Sequence, residues 1–340
     1  MGDSELPSLR PAELDRFLDG GSPALRPAEP ARSPAPAAVP EPAKPATGLP
    51  AARVGAVVVN YNAGPALAEC VASLEDEGVG EVVVVDNASV DTSMAELAVA
   101  RPAAQRILAH SNLGYGAGAN LGAESTTTAY LLVCNPDVVA VPGAVGTLAG
   151  VLDSHPEVAL VGPMLREPTG VVYPSGREFP GMGEAIGHGF LGLFWGGNPW
   201  TRRYRRIGQE QHRAREADWV SGAFFLVRRT AFDEVGGFDP RYFMYVEDVD
   251  LCWRLRRAGW AVRYEPSAEV VHEQGRSASR HPYRMLVAHH RSMWRFARQT
   301  ASGRERSLLP LVALGLAARL VLTWAEHLLS PRSRLRSRRD

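Results

Sequence analysis

Lysine is almost missing from this chain. Lys44 is the only one among 340 residues, so the remaining basic residues are arginine. A glycine-rich phosphate loop that depends on a lysine after the first strand is therefore excluded, because Lys44 lies upstream of every ordered pattern. Cysteine is nearly as scarce. Cys70, Cys134 and Cys252 are far apart and form no C-x-x-C, which excludes a disulfide framework or a cysteine metal site and suits a reduced, cytoplasmic compartment. The first thirty residues have no apolar core, so no signal peptide is expected. No run of about eighteen apolar residues occurs; the nearest, Leu308 to Leu329, is broken by Pro310, Arg319 and Glu326.

Net charge is also absent overall, but not locally. From Arg276 to Asp340 fourteen arginines face only Glu305, Glu326 and Asp340. Such a tail suits an anionic partner. No recognition fold for nucleic acid accompanies it, so an anionic membrane surface is expected, reached by an amphipathic helix and the arginines at 332, 334, 336, 338 and 339.

What is present begins with 45% hydrophobic residues, enough for a substantial core. Eleven of the 26 prolines fall in residues 1–52, and that stretch reads as a disordered leader with at most a short helix near Pro11 to Leu18. Order starts at Val54. Val54 to Val59 and Glu81 to Val85 read as buried strands, each ending in a polar turn, with helical spacing from Ala66 to Leu74 between them. A short strand near Arg106 to Ala109 and the buried run Tyr130 to Cys134 continue the rhythm. This is an α/β pattern with a mostly parallel sheet flanked by helices. Further elements are a helix over Ala144 to Ser154, strands over Val158 to Val161, Trp219 to Arg228, Ala261 to Tyr264 and Val270 to His272, and helices starting at Glu247 and near Pro282. The domain expectation is a leader (1–52), a catalytic domain (53–300) divided into a nucleotide half (53–162) and an acceptor half (163–300), and a basic membrane-associating tail (301–340).

Strand ends of such a sheet share one edge, where ligands bind. Asp86 ends its strand, where its carboxylate can accept the ring N–H of a pyrimidine; Asp91 reads as a helix cap. Asn135-Pro136-Asp137 closes the central run, and an acid there suits a hard divalent cation shared with phosphate. Four close glycines from Gly114 to Gly122 suggest a dinucleotide fingerprint, but the spacing fails: after Gly116-x-Gly118 the third position, 121, is leucine. The alternatives are a helix start whose Asn112, Gly116 and Asn120 pack under a nucleotide, or plain helix-sheet packing.

In Glu247-Asp248-Val249-Asp250-Leu251, helical spacing groups Asp248 with Leu251, Cys252 and Leu255, which points it inward. Glu247 and Asp250 fall on the other side, with Asp250 four residues before Arg254 as a surface ion pair. Asp248 is the expected functional acid. Its place in the first helical turn should hold it ionised. His272, ending an apolar run, is a candidate metal ligand, and Arg291 a candidate phosphate contact. The aromatic segment Phe190 to Trp195 with Asn198-Pro199-Trp200, followed by Arg202, Arg203, Arg205 and Arg206, reads as interfacial or as a cap over the site.

Val-Val-Asn-Tyr-Asn (58–62), Val-Asp-Asn-Ala-Ser-Val-Asp (85–91), Asn-Leu-Gly-Tyr-Gly (112–116), Asn-Pro-Asp (135–137) and Glu-Asp-Val-Asp-Leu (247–251), in this order, resemble the family 2 glycosyltransferases of the GT-A fold, over roughly residues 54–300. Val172 to Ser175, Phe194-Trp195, Asn198 to Trp200, Met244 to Leu251 and Ala288 to Ser292 narrow the likeness to the branch that adds L-rhamnose to a polyprenyl-diphospho-N-acetylglucosamine lipid for the linker between peptidoglycan and arabinogalactan. The resemblance implies an inverting transferase using dTDP-L-rhamnose and Mg2+ or Mn2+, on the inner face of the plasma membrane. By position, Asp86 would hold the pyrimidine, Asn60 and Asn62 would line the nucleotide pocket, and Asn135 would stand where the Asp-x-Asp motif often has a carboxylate. Asp137 and His272 would bind metal and Asp248 would be the general base. Trp219, Glu247 and Arg291 are candidate acceptor or phosphate contacts. A transferase using another nucleotide sugar, and a non-catalytic sugar or lipid binding module, are the alternatives.

Overall fold

A computed structural model of the chain describes residues 53–179, 211–273 and 282–329. The leader, the aromatic segment with its arginines at 202–206, and the arginines at 332–339 lie outside the described residues.

The first half alternates strand and helix as its apolar periodicity requires: β1 (Val54–Asn60), α1 (Ala66–Asp76), β2 (Glu81–Asp86), α2 (Ser93–Ala100), β3 (Gln105–Leu108), α3 (Tyr115–Ala123) and β4 (Tyr130–Cys134). Then come β5 (Val138–Ala140), α4 (Ala144–Ser154), β6 (Val158–Arg166), β7 (Val172–Tyr173), β8 (Gly176–Arg177), β9 (Arg215–Ala217), β10 (Trp219–Val220), β11 (Phe224–Arg228) and α5 (Arg229–Glu234). The described chain ends with α6 (Glu247–Arg257), β12 (Ala261–His272), α7 (Pro282–Thr300), a 3-10 turn (Gly303–Leu308) and α8 (Leu309–Leu329).

One ten-stranded sheet organises these elements in the order β3-β2-β1-β4-β11-β6-β12-β5, with β7 added to β6 and β9 to β12. Strands β3, β2, β1, β4, β6 and β12 run one way, and β11 runs against its neighbours β4 and β6. All residues of β1 and β4 are buried, because helices cover both faces. Leu67, Val71 and Leu148 pack on one face, Ala119, Phe225 and Leu251 on the other. Each of the leucine, valine and phenylalanine side chains contributes about 1.5–3 kcal/mol. Helix α3 lies so close to the sheet that a Cβ at Gly122 would come within 2.4 Å of a Val57 methyl. Gly118, which faces Val59, and Gly122 thus serve helix-sheet contact.

Two departures from the sequence reading shape the functional edge. Trp219 to Arg228 is not one strand: β10 pairs with β8 in a separate two-stranded sheet, and the chain turns at 221–223 before β11 enters the main sheet. Because β11 runs antiparallel, Phe224 lies opposite Cys134, and its leading turn arrives where the parallel strands finish. Ala261 to Tyr264 and Val270 to His272 are in turn one strand, β12, with an irregularity between Glu265 and Glu269.

Candidate active site

The loops after β1 and β2 are joined to each other, while the loop after β4 meets the turn before β11, which in turn meets the amino end of α6; Asn60, Asn62, Asp86 and Asp137 are not in the lining of the cleft that holds Asp248. Asn60 and Asp86 are register partners, both buried. The Asn60 amide donates to Asp86 Oδ1 (2.9 Å) and to Ser93 Oγ (2.9 Å), and the other Asp86 oxygen accepts the Ser89 N–H (3.2 Å). Asn62, held at φ +55°, accepts the Val90 N–H at 2.8 Å. These three residues knit the two loops together, and the side-chain oxygen of Asn60, Oδ1, is buried without a partner among the described residues.

Proline at 136 ends β4, and β5 then pairs antiparallel with the end of β12, placing Val138 opposite His272. That register brings His272 Nε2 to 3.3 Å from Asp137 Oδ1 and 3.3 Å from the Asn135 amide nitrogen. Asp137 Oδ1 and His272 Nδ1 are buried without hydrogen-bond partners among the described residues. An anionic oxygen and an imidazole nitrogen at this separation fit adjacent ligands of one divalent cation, whose metal-ligand bonds of about 2.1 Å put neighbouring donors roughly 3 Å apart. Among the described residues no group of three or more His, Cys, Asp or Glu could hold a metal. A cation here would draw its remaining ligands from water and substrate phosphate, the usual arrangement for Mg2+.

Asp248 lies half-buried in the lining of a cleft of about 530 Å³, together with Tyr115, Asn135, Trp219, Gly222 and His272. Tyr245 and Val246, at φ +67° and +69°, turn the chain into α6. Two consecutive left-handed residues, one β-branched, cost about 1–3 kcal/mol each and aim the acids that follow. Asp248 Oδ2 accepts the Gly222 N–H and Oδ1 the Val249 N–H, both at 2.8 Å. A Cβ at Gly222 would stand 3.1 Å from the Asp248 Cβ, so the turn interrupting Trp219 to Arg228 is also what lets backbone approach this carboxylate.

The electrostatics reverse one expectation. Burial pushes the Asp248 carboxyl above the usual carboxylate range, and the two backbone N–H groups and Arg177 offset this only in part. Desolvation outweighs the helix end because the group sits among apolar walls.

Glu247 and Asp250 do not face solvent. Glu247 is buried in the cleft lining with Oε2 unpartnered, and burial, then the Asp248 charge, pushes it up to about 8. Asp250 is 0% exposed and accepts Arg254 Nε at 2.8 Å and Gln299 Nε2 at 2.6 Å. The expected pairing with Arg254 is present, but under α7, which supplies Gln299 and converts a polar helix face into an interior.

The remaining expected residues divide. Trp219 lines the cleft, its Nε1 donates to the Glu178 carbonyl (3.1 Å), and Arg177 stacks 5.2 Å from its ring. Both polar atoms of Asn120 are taken up by the Phe238 backbone, at 2.8 and 2.9 Å, and a Cβ at Gly116 would meet the Phe238 side chain at 2.9 Å. These two residues clamp the Gly236-Gly237 turn rather than support a nucleotide. Asn112 accepts the Gly114 N–H at 2.9 Å in a local turn. Arg291 is exposed on α7, away from the cleft lining. Sequence reasoning missed Tyr115, whose buried hydroxyl donates to the Gly222 carbonyl at 2.5 Å and pins the turn facing Asp248. It missed Arg177 as well. The Asn112 to Gly116 motif held Tyr115 in plain view, but its partner is 107 residues away.

The family described as "Glycosyltransferase like family 2" matches residues 50–288. N-acetylglucosaminyl-diphospho-decaprenol L-rhamnosyltransferase of Mycobacterium tuberculosis (strain ATCC 25618 / H37Rv) is 40% identical over 296 residues, covering 83% of this chain and 94% of that protein. Rhamnosyltransferase WbbL of Escherichia coli (strain K12) is 31% identical over 145 residues, 42% of this chain and 52% of that one. Among solved structures, the mannosyltransferase PcManGT from Pyrobaculum calidifontis, in complex with GDP-Man and Mn2+, superposes with a TM-score of 0.51 at 17% identity, over 83% of this chain and 82% of that one. The sheet and its helices thus share the GT-A glycosyltransferase architecture.

Proposed function

From the premise that this chain belongs to glycosyltransferase family 2, and is a glycosyltransferase, we propose that it moves L-rhamnose from dTDP-L-rhamnose to the N-acetylglucosamine of a polyprenyl-diphosphate lipid. The name of the 40%-identical mycobacterial relative supports this donor sugar and acceptor. The observation that carries the chemistry is Asp248, a carboxylate with raised proton affinity lining the cleft and oriented by two backbone N–H groups.

The reaction is an inverting single displacement. Asp248 removes the proton of an acceptor hydroxyl as that oxygen attacks C1 of the sugar, and the nucleoside diphosphate leaves from the opposite face. Burial makes the carboxylate a stronger base than an exposed one, a general-base contribution of roughly 10² to 10⁴ in rate. Asp86, Asn60 and Asn62 hold the nucleotide end, and residues 53–162 and 163–300 form the donor and acceptor halves. Asp137 and His272 would hold Mg2+ or Mn2+, which when bound offsets charge on the leaving diphosphate.

No described helix is long and apolar enough to cross a membrane. Helix α8 exposes Leu311, Leu314, Val321 and Leu322, and with the arginines that follow supports a peripheral position on an anionic inner leaflet.

The test is transfer by the purified full chain with dTDP-rhamnose or UDP-sugars, a polyprenyl-diphospho-N-acetylglucosamine analogue, and Mg2+, Mn2+ or neither. Rhamnose transfer, reduced roughly 10² to 10⁴-fold in Asp248→Asn with nucleotide binding kept, is the expected result. Near-normal turnover of that variant would defeat the base assignment. Preference for a UDP-sugar would move the chain to another donor within the family.

A further inference from the structure

The reaction proposed above brings two diphosphates into one site, one on the donor and one on the acceptor. Asp137 and His272, with a cation between them and the donor, answer to the first. The cleft offers a separate positive group for the second: Arg177 is the one arginine among the described residues that line it. Its charge reaches Asp248 and offsets part of the desolvation of that carboxyl.

The fold holds Arg177 rigidly at this place. It pairs in register with Trp219, which stands three residues before Gly222, the backbone donor to Asp248. Its guanidinium lies 5.0 Å from the Tyr173 ring and 5.2 Å from the Trp219 ring, and its Nε donates to the Pro174 carbonyl at 2.7 Å. The Asp218 carboxylate beside this pair is directed elsewhere, accepting the Phe179 N–H at 2.8 Å and facing Arg256 at 3.6 Å. The ring faces and the Nε bond fix the plane of the guanidinium. Neither contact uses Nη1 or Nη2, the pair of nitrogens that can bond two oxygens of a phosphate group.

Beyond Arg177 the lining turns apolar. Phe179, two residues on, packs against Phe296 of α7 with ring centroids 6.3 Å apart, and the wall continues through Met293 of α7 and Leu311 and Leu316 of α8. Leu311 is 47% exposed and shares its stripe of α8 with Leu314 and Leu322, three and eleven residues on. That stripe is the face assigned above to the membrane surface, so the apolar end of the cleft borders the side from which a lipid would enter.

We infer that Arg177 bonds the diphosphate of the lipid acceptor, and that the first isoprenoid units run from it past Phe179 and Phe296 along Leu311 and Leu316. The inference rests on the lipid-diphosphate reading above and gives that acceptor a subsite distinct from the donor's cation edge. Carboxylate, guanidinium and apolar wall then follow one another as sugar, diphosphate and prenyl chain do in the substrate.

The experiment is calorimetric titration of the full-length protein with farnesyl diphosphate, after the donor site has been filled with dTDP and Mg2+. Farnesyl diphosphate should bind with dTDP in place, and inorganic pyrophosphate, which lacks the chain, at least about tenfold more weakly. Arg177→Gln should weaken farnesyl diphosphate about tenfold or more and leave dTDP affinity at the wild-type value, with Arg177→Lys between the two. Competition between farnesyl diphosphate and dTDP in the wild type would overturn the assignment without recourse to any variant. Equal affinity for pyrophosphate and farnesyl diphosphate, unchanged farnesyl diphosphate affinity in Arg177→Gln, or loss of dTDP binding in a folded Arg177→Lys would each do the same. Transfer by the wild type to N-acetylglucosamine on farnesyl diphosphate is measured alongside. Its absence, with transfer to a neutral N-acetylglucosamine glycoside, would remove the lipid-diphosphate reading and the inference with it; its presence beside any of those contrary binding results overturns the Arg177 assignment alone.

Discussion

Replacing Glu247 by glutamine should change how stability depends on pH more than it changes stability itself. Glu247 is buried, its Oε2 has no partner, and its proton is held up to about 8 against an ordinary glutamate value near 4.5. Between those values the folded protein keeps a proton that the unfolded chain releases. The stabilisation from a neutral Glu247 is therefore complete below about pH 4.5 and lost as pH rises through about 8. At roughly 1.4 kcal/mol per unit, the full span is at most about 5 kcal/mol. Part of it belongs to repulsion from Asp248, which shares the site, so a working figure is a few kcal/mol. Glutamine keeps the shape and cannot ionise. Glu247→Gln should match wild type near pH 5 and exceed it near pH 9 by on the order of 5–10 °C in melting temperature for a domain of this size. Scanning calorimetry from pH 5 to 9 reads the difference. A gap that stays constant across that range would show that Glu247 is already ionised in the folded protein at pH 5, as it is in the unfolded chain, and the account of a desolvated acid pair in the cleft would fall.

The part of the fold legible in the sequence was the part governed by continuous burial and local periodicity. Val54 to Val59 and Tyr130 to Cys134 read as buried strands because both their faces are covered, and Pro136 announces the end of β4 in any context. Helix α4 matched residue for residue for the same reason: its apolar stripe and its end are local. What was not legible depends on partners distant in sequence. That β11 would run against β4 and β6 is invisible in Phe224 to Arg228, which looks like any buried strand, yet this reversal delivers Gly222 to Asp248. Asp250 looked like a surface ion-pair residue because an amphipathic pattern cannot reveal that α7 will lie across its polar face. Gly116 and Asn120 looked like ligand chemistry because glycine and asparagine serve close packing and backbone clamps with the same residues. At the site, the acids at strand and helix ends could be named, but their protonation could not. The helix-end argument for Asp248 was correct in sign and smaller than the desolvation that only a folded cleft supplies.

Three further outcomes follow from the same geometry. Asp250→Ala should cost about 3–5 kcal/mol, because it strands Arg254 in the interior; a loss under about 1 kcal/mol in urea unfolding would be the behaviour of a surface pair. Tyr115→Phe removes the bond that pins the Gly222 carbonyl, so it should lower the turnover of transfer more than donor binding; equal effects on kcat and KM would make the hydroxyl a packing feature. His272→Ala leaves Asp137 without the imidazole beside it, so Mn2+ titrated in the presence of dTDP and followed by electron paramagnetic resonance should bind at least about tenfold more weakly, with the melting temperature unchanged. Since β12 holds His272 by backbone pairing with Val138, the loss cannot come from a displaced strand, and unaltered Mn2+ affinity would mean that the 3.3 Å approach of the imidazole to Asp137 is a structural hydrogen bond and the cation lies elsewhere.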